Sequence, residues 1–220
     1  MFTYVTDVHD TEQAIAAGGL VPVVVLQDAA DAAPLAEALL AGGLRCVEVT
    51  FRTDAAAAAI AAMARYPELL VGAGTVLTVE QAGRALDAGA RFVVSPGFGP
   101  AVVRQCAGAG VPVYPGAATA TEIQMAVDAG LRTVKFFPAE PLGGAPMVQA
   151  LAAPFRDMRF IPTGGITSAQ LPAYLALPSV LAVGGTWMVA PDLLAARDWA
   201  EVTRRTAAAV AVAADSRKER

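Results

Sequence analysis

CVEVTFRTDAAAAAIAAMARYPELLVGAGTVLTVEQAGRALDAGARFVVSP, residues 46–96, holds the pattern on which the fold turns. Three short apolar runs, at 46–51, 69–74 and 91–96, alternate with alanine-rich stretches at 54–65 and 78–88. Short runs rich in β-branched residues read as buried strands, and alanine favours the helices between them. Strands that alternate with helices predict a parallel sheet joined by crossovers.

Outward from this segment the alternation continues in both directions. Upstream stand VPVVVL at 21–26 and a helix at 28–41. Downstream come strands at 111–116, 133–138, 159–164 and 179–185, with helices at 99–109, 119–129, 145–152, 168–176 and 192–213. Eight units result, each roughly twenty to twenty-six residues long, which predicts an α/β fold of the (β/α)8 TIM-barrel type. A short amino-terminal helix is expected near 10–18. Asp54, Thr78 and Ser168 can cap first turns, and Ala41-Gly42, Ala88-Gly89, Ala109-Gly110 and Ala129-Gly130 can end helices in the left-handed conformation. A doubly wound open sheet is the alternative, but its first turn normally carries a glycine fingerprint, and the turn here is Leu26-Gln27-Asp28. One domain over 1–220 is expected, with the barrel at about 20–213 and a charged, frayed tail at 214–220.

Composition removes several function classes. The formal net charge is -4 and the arginines are scattered, so no basic stripe offers itself to nucleic acid. The longest uncharged stretch, Phe160 to Pro191, is interrupted by four prolines and two Gly-Gly pairs, which argues against a membrane span. MFTYVTDVHD lacks the basic start and apolar middle of a secretory signal, so the expected location is the cytoplasm. Cys46 and Cys106 have no metal or redox spacing and are expected to be buried thiols. His9 is the only histidine, which rules out a histidine-rich metal site and a Ser-His-Asp triad. No metal and no cofactor are expected.

Active sites of such barrels form at the carboxyl ends of the strands. Lys135 stands out there, because Lys218 is the only other lysine. Within Val134-Lys135-Phe136-Phe137-Pro138 its ammonium is costly to desolvate unless paired. A lysine made partly neutral by burial is a nucleophile for carbonyls, and its imine is an electron sink. The alternative is a lysine that reaches out to the rim. On the second strand Glu48, Thr50 and Arg52 share a face. Glu48 can exchange protons with a substrate and Arg52 can hold a carboxylate; a Glu48–Arg52 ion pair is the competing reading.

Thr163-Gly164-Gly165 and Gly184-Gly185-Thr186 end strands seven and eight, the usual phosphate position in this fold, although Gly-Gly is also an ordinary turn. Gly72-Ala73-Gly74-Thr75 offers a backbone nest and Ser95-Pro96-Gly97 a rigid wall. Trp187 and Trp199 read as packing residues.

Taken in order, Glu48-Val49-Thr50 with Arg52, Gly72-Ala73-Gly74-Thr75, Ser95-Pro96-Gly97, Lys135-Phe136-Phe137-Pro138-Ala139-Glu140 and Pro162-Thr163-Gly164-Gly165-Ile166 form a recognisable set. From about Val21 to Trp199 the chain resembles the 2-keto-3-deoxy-6-phosphogluconate (KDPG) and 4-hydroxy-2-oxoglutarate aldolases. The resemblance implies a metal-free class I aldolase, a homotrimer, that reversibly splits its phosphorylated sugar acid into pyruvate and glyceraldehyde 3-phosphate. It implies that Lys135 forms the imine, Glu48 is the general acid/base, and Arg52 and Thr75 hold the pyruvate carboxylate. Phe137 and Pro96 would line the pyruvate pocket, and Thr163 would lie near the carbons whose stereochemistry is decided. Gly164, Gly165, Gly184, Gly185 and Thr186 would meet the phosphate, with Thr186 standing where many relatives have serine. Galactonate enzymes carry an arginine after the first strand; Leu26-Gln27 here favours the gluconate substrate. Remaining alternatives are an aldolase acting mainly on 4-hydroxy-2-oxoglutarate, a phosphogalactonate aldolase, an isomerase or synthase on a similar barrel, and a non-catalytic binder of phosphorylated sugar acids.

Overall fold

The computed structural model describes residues 8–218. Its strands are β1 (Leu20–Val24), β2 (Cys46–Thr50), β3 (Leu70–Gly74), β4 (Val93–Val94), β5 (Val113–Tyr114), β6 (Gly116–Ala117), β7 (Thr133–Phe136), β8 (Arg159–Pro162) and β9 (Val183–Gly185). The helices are α1 (Val8–Gly18), α2 (Ala32–Ala41), α3 (Ala56–Met63), α4 (Val79–Asp87), α5 (Pro100–Gly108), α6 (Ala120–Asp128), α7 (Gly144–Ala152), α8 (Leu171–Leu175), α9 (Pro191–Ala196) and α10 (Trp199–Lys218).

All paired strands run parallel, in the order β5-β4-β3-β2-β1-β9 and β6-β7-β8. β5 and β6 are halves of one barrel strand, split at Pro115, whose carbonyl accepts from the Lys135 N–H at 2.9 Å. Isolated bridges Phe160↔Val180 and Thr163↔Gly184 join β8 to β9 and close the ring. The architecture is the expected (β/α)8 barrel. Buried on both faces, nearly every strand residue is apolar, as a sheet sealed by an outer layer of helices requires.

Two cores follow from this geometry. One lies between strands and helices; the other fills the barrel with Val21, Cys46, Leu70, Phe92, Val94, Tyr114, Ile161, Leu181 and Ala182. Ile15 of α1 belongs to the inner core, so α1 plugs the amino-terminal mouth of the barrel. Glu12 of α1 reinforces the plug by accepting from the Thr133 hydroxyl at 2.6 Å. The filling depends on a missing side chain at Gly72, where a Cβ would lie 2.2 Å from the Phe92 ring.

Several boundaries differ from the sequence reading. Thr78 caps α4 by accepting from the Gln81 N–H, but α3 is capped at Ala55 and α8 at Gln170, so Asp54 and Ser168 do not serve. A capping box at Thr119 and Glu122 begins α6 instead. Gly89, Gly110 and Gly130 take positive φ as expected, whereas after α2 it is Gly43, with φ of 83°, and not Gly42. The expected helix over 192–213 is two helices. Arg197 turns left-handed with φ of 54°, and Asp198 accepts from the Glu201 N–H to start α10. The charged tail continues α10 as far as Lys218, because nothing in it breaks a helix; Glu219 and Arg220 lie outside the described residues.

Shortening the plug tests its contribution. Ile15→Ala removes a fully buried side chain from a closed space, and we expect a loss of about 2–5 kcal/mol in unfolding free energy by chemical denaturation.

Candidate active site

Lys135 on β7 and Glu48 on β2 come from opposite walls of the ring and meet over its centre. Nζ lies 3.2 Å from Glu48 Oε1, and the two side chains are only 4% and 3% exposed. The burial removes the rim alternative for the lysine, whose head stays inside. Desolvating either charge alone would be expensive, and the ion pair offsets that cost; deleting one partner of such a pair typically costs about 3–5 kcal/mol. The Phe137 ring centroid is 5.2 Å from Nζ, adding a cation–π contact on another side of the ammonium.

The carboxylate has its position because Gly74 has no side chain. A Cβ there would sit 2.1 Å from Glu48 Oε1. Two residues farther along β2, Thr50 is buried and donates to the Val24 carbonyl at 2.8 Å, tying β2 to β1.

Arg52 lies beyond the end of β2, not within it, yet it reaches the next strand. Its Nε donates to the Thr75 hydroxyl at 3.3 Å. Thr75 holds a left-handed φ of 54°, uncommon outside glycine and usually found where a surrounding structure compels it. The competing Glu48–Arg52 ion pair is not made: Glu48 pairs with Lys135, and exposed Arg52 presents its remaining guanidinium donors to solvent.

Pro96 forms the wall beyond β4. Its carbonyl occupies the space that a Cβ on Gly116 would fill, 2.0 Å from that position, and Gly116 pairs in register with Lys135. Ser95 pins the turn by donating to the Gly97 carbonyl at 2.8 Å.

The glycine loops lie on the other side of the lysine strand. Thr163 donates its N–H to the Phe136 carbonyl at 2.9 Å, and its buried hydroxyl projects where Gly184 would carry a Cβ, 2.2 Å away. Gly164 and Gly165 adopt φ of 107° and 80°, and Gly164 packs on Phe137 and Pro138 across a cis Phe137–Pro138 bond. Gly185 is obliged by packing, since a Cβ would lie 1.7 Å from the Trp187 ring. Thr186 is exposed and precedes the 3-10 turn Trp187–Val189. Trp187 is indeed a packing residue, as is Trp199.

The structure thus gathers Lys135, Glu48 and Phe137 at the centre, Arg52 with Thr75 on one side, and Thr163 with Gly164 and Gly184 on the other. Three residues were given no role from the sequence: Glu140, and Gln170 and Tyr174, whose amide and hydroxyl donate to its carboxylate. The available signal was an acid embedded in the lysine segment, Lys135-Phe136-Phe137-Pro138-Ala139-Glu140. Its partners on α8 have no motif of their own. Among the described residues no group of three His, Cys, Asp or Glu could hold a metal, and no helix is long and apolar enough to cross a membrane.

Known proteins resemble this chain in sequence and in fold. The model of the KDPG and KHG aldolase family matches residues 11–205. The 2-dehydro-3-deoxy-phosphogluconate aldolase of Treponema pallidum (strain Nichols) is 57% identical over 84% of this chain and 88% of its own. The crystal structure of the 2-keto-3-deoxy-6-phosphogluconate aldolase of Zymomonas mobilis ZM4 with 3-phosphoglycerate superposes with a TM-score of 0.88 at 42% identity, covering 93% of this chain and 96% of that one. The KDPG aldolase of Legionella pneumophila, with pyruvate captured as a covalent carbinolamine, superposes with a TM-score of 0.87 at 38% identity, covering 90% and 97%.

Beneath the ion pair, Cys46 is buried beside Glu48, and burial first, then that negative charge, pushes its thiol far above the ordinary 9.0. Burial alone raises Cys106 to about 11. An unfolded chain ionises its thiols near 9.0 while the folded chain keeps them protonated, so this stability is present below pH 9 and lost as pH climbs toward 11. We expect no reaction of either thiol with a disulfide reagent at pH 8 in the native protein, full reaction of both in denaturant, and a fall in unfolding free energy above pH 9. A thiol that reacts at pH 8 without unfolding would contradict the burial.

Proposed function

The chain belongs to the KDPG and KHG aldolase family, and from that premise we propose that Lys135 is the Schiff-base lysine by which it reversibly cleaves 2-dehydro-3-deoxy-6-phosphogluconate into pyruvate and glyceraldehyde 3-phosphate. The observation that carries this reading is the buried contact of Lys135 Nζ with Glu48 Oε1, 3.2 Å across the barrel centre. A nucleophile needs a base within hydrogen-bond reach, and this pair supplies both in one place.

The chemistry follows from the geometry. Glu48 accepts a proton from the lysine, and the free amine attacks the C2 ketone to give a carbinolamine. Glu48 returns a proton to the departing hydroxyl, water leaves, and a protonated imine remains. Glu48 then takes the proton of the C4 hydroxyl; the C3–C4 bond breaks, its electrons pass to the iminium nitrogen, and glyceraldehyde 3-phosphate departs. Protonation of the enamine at C3 gives the pyruvate imine, which water hydrolyses to free Lys135. Carbinolamine capture of pyruvate in the Legionella pneumophila relative supports the same course here.

Binding is assigned to the groups around the pair. Arg52 and Thr75 hold the pyruvate carboxylate, with Phe137 and Pro96 as the pocket walls and Thr163 against the carbons being cleaved. Gly164, Gly165, Gly184, Gly185 and Thr186 take the phosphate, a reading supported by 3-phosphoglycerate in the Zymomonas mobilis structure and by loops at the fold's usual anion position. The working form is a cytoplasmic homotrimer of single-domain chains.

Incubation with pyruvate and borohydride, read by peptide mass spectrometry, is expected to leave an adduct on Lys135; an unmodified lysine in folded protein would overturn the reading. Lys135→Ala should reduce turnover to background. Glu48→Gln should lower kcat by about 10²–10⁴-fold. Removing the phosphate from the substrate should raise KM steeply. Equal efficiency on 4-hydroxy-2-oxoglutarate and on the phosphorylated substrate would undercut the assignment of the glycine loops to phosphate.

A further inference from the structure

Glu140 follows the lysine strand and touches both the loop after β8 and the helix α8 beyond it. It begins the 3-10 turn Glu140–Leu142, four residues after β7 ends. Its backbone N–H donates to the Gly164 carbonyl at 3.0 Å, and the Ala139 N–H before it donates to the Thr163 carbonyl at 2.8 Å. These two bonds fasten the lysine segment to the Thr163-Gly164-Gly165 loop.

The carboxylate extends the fastening to α8. Oε1 accepts from the Tyr174 hydroxyl and Oε2 from the Gln170 side-chain amide, while the other end of that amide accepts from the Thr167 N–H and hydroxyl, both at 2.9 Å. Thr167 is two residues past Gly165, so Glu140 holds the loop's beginning by its backbone N–H and the loop's far end by its carboxylate. Neighbouring glycines are shaped to it. A Cβ on Gly165 would stand 2.9 Å from Glu140 Cβ, and one on Gly144 would stand 3.2 Å from Oε1. Tyr174 is buried, and burial first, then Glu140, keeps its hydroxyl protonated and available to donate.

We propose that Glu140 is a positioning residue for the phosphate end of the substrate: through Gln170 and Tyr174 it sets the Gly164-Gly165 loop at a fixed distance from Lys135. The inference rests on the assignment of that loop to phosphate. Its chemical content is a division of labour. Lys135 and Glu48 are held by the strands, so loosening Glu140 leaves the carbonyl chemistry intact and degrades recognition of the phosphate alone. A fixed loop pre-orients its N–H groups, and a loose one must be ordered by the ligand at a cost in affinity.

The test uses the full chain and two substrates, the phosphorylated 2-keto-3-deoxy sugar acid and the same acid without phosphate. Glu140→Gln leaves one acceptor oxygen for two donors, the Gln170 amide and the Tyr174 hydroxyl, so the two hydrogen bonds cannot both be kept as they stand. For this variant we expect KM for the phosphorylated substrate to rise about tenfold, as loss of a buried hydrogen bond implies, with kcat within twofold. Efficiency on the unphosphorylated acid and borohydride trapping of pyruvate should be unchanged. The double variant Glu140→Gln/Gln170→Glu reverses donor and acceptor and should restore KM. Tyr174→Phe, which removes one of the two donors, should show a smaller rise of the same kind.

Equal losses on both substrates, a loss of kcat without a change in KM, or a failure of the double variant to recover would each overturn the proposal. The phosphate assignment itself is judged separately, on the unaltered protein. If it handles both substrates with equal KM, that assignment falls and this inference with it; if it discriminates but Glu140→Gln still does so equally well, only the inference falls.

Discussion

Two opposite charges enclosed at the centre of an apolar barrel set the terms for everything around them. Neither Lys135 nor Glu48 can be buried alone, so both must arrive at one point from walls that the chain builds eighty-seven residues apart. The convergence needs a closed ring of fixed register. Glu48 pairs opposite Val23 and Gly72, Lys135 opposite Gly116 and Ile161, and a one-residue slip in either strand would turn its charge toward the helices. The amino-terminal plug and the packed interior below the pair hold the ring at that register. The fold is in this sense the scaffold of one ion pair.

Space for the pair is made by omission. Gly74 yields to the Glu48 carboxylate, Gly116 to the Pro96 carbonyl and Gly72 to the Phe92 ring, so three strand positions that would ordinarily carry β-branched residues are empty. Glycine in a strand gives up packing and increases the entropy lost on folding. Here the loss is offset by close approaches that no other residue permits. The left-handed Thr75 belongs to the same pattern: backbone strain is accepted at the strand end where its hydroxyl meets Arg52.

Much of the fold was legible in the chain, because the period of strand and helix is written in the alternation of apolar runs with alanine. Lys135 was legible for a different reason, its isolation in a sequence otherwise furnished with arginine. What could not be read were contacts between segments remote in the chain. Nothing local marks Glu140 as the partner of Gln170 and Tyr174, or says that Arg52 lies past its strand and still touches Thr75. Asp54 and Ser168 are good capping residues by type, but the helices start elsewhere because the loops from the barrel deliver the chain at Ala55 and Gln170. Arg197 breaks the last helical stretch without glycine or proline, held by Asp28 and Asp31 from the far side of the first strand.

The paired glycines at β9 show why residue type alone is a poor guide to cause. From sequence they read as a phosphate cradle, and their place in the fold is right for one. Yet Gly184 would have to be glycine without any ligand, since the Thr163 hydroxyl stands where its Cβ would be, and Gly185 likewise because of the Trp187 ring. Substituting either would disturb packing before it disturbed an anion, so a loss of activity there could not be attributed to phosphate. Gly164 and Gly165 differ in kind, because their positive φ serves a loop whose course is set from outside by Glu140. Discrimination between phosphorylated and unphosphorylated substrate is therefore better probed through the groups that hold the loop than through the glycines that form it.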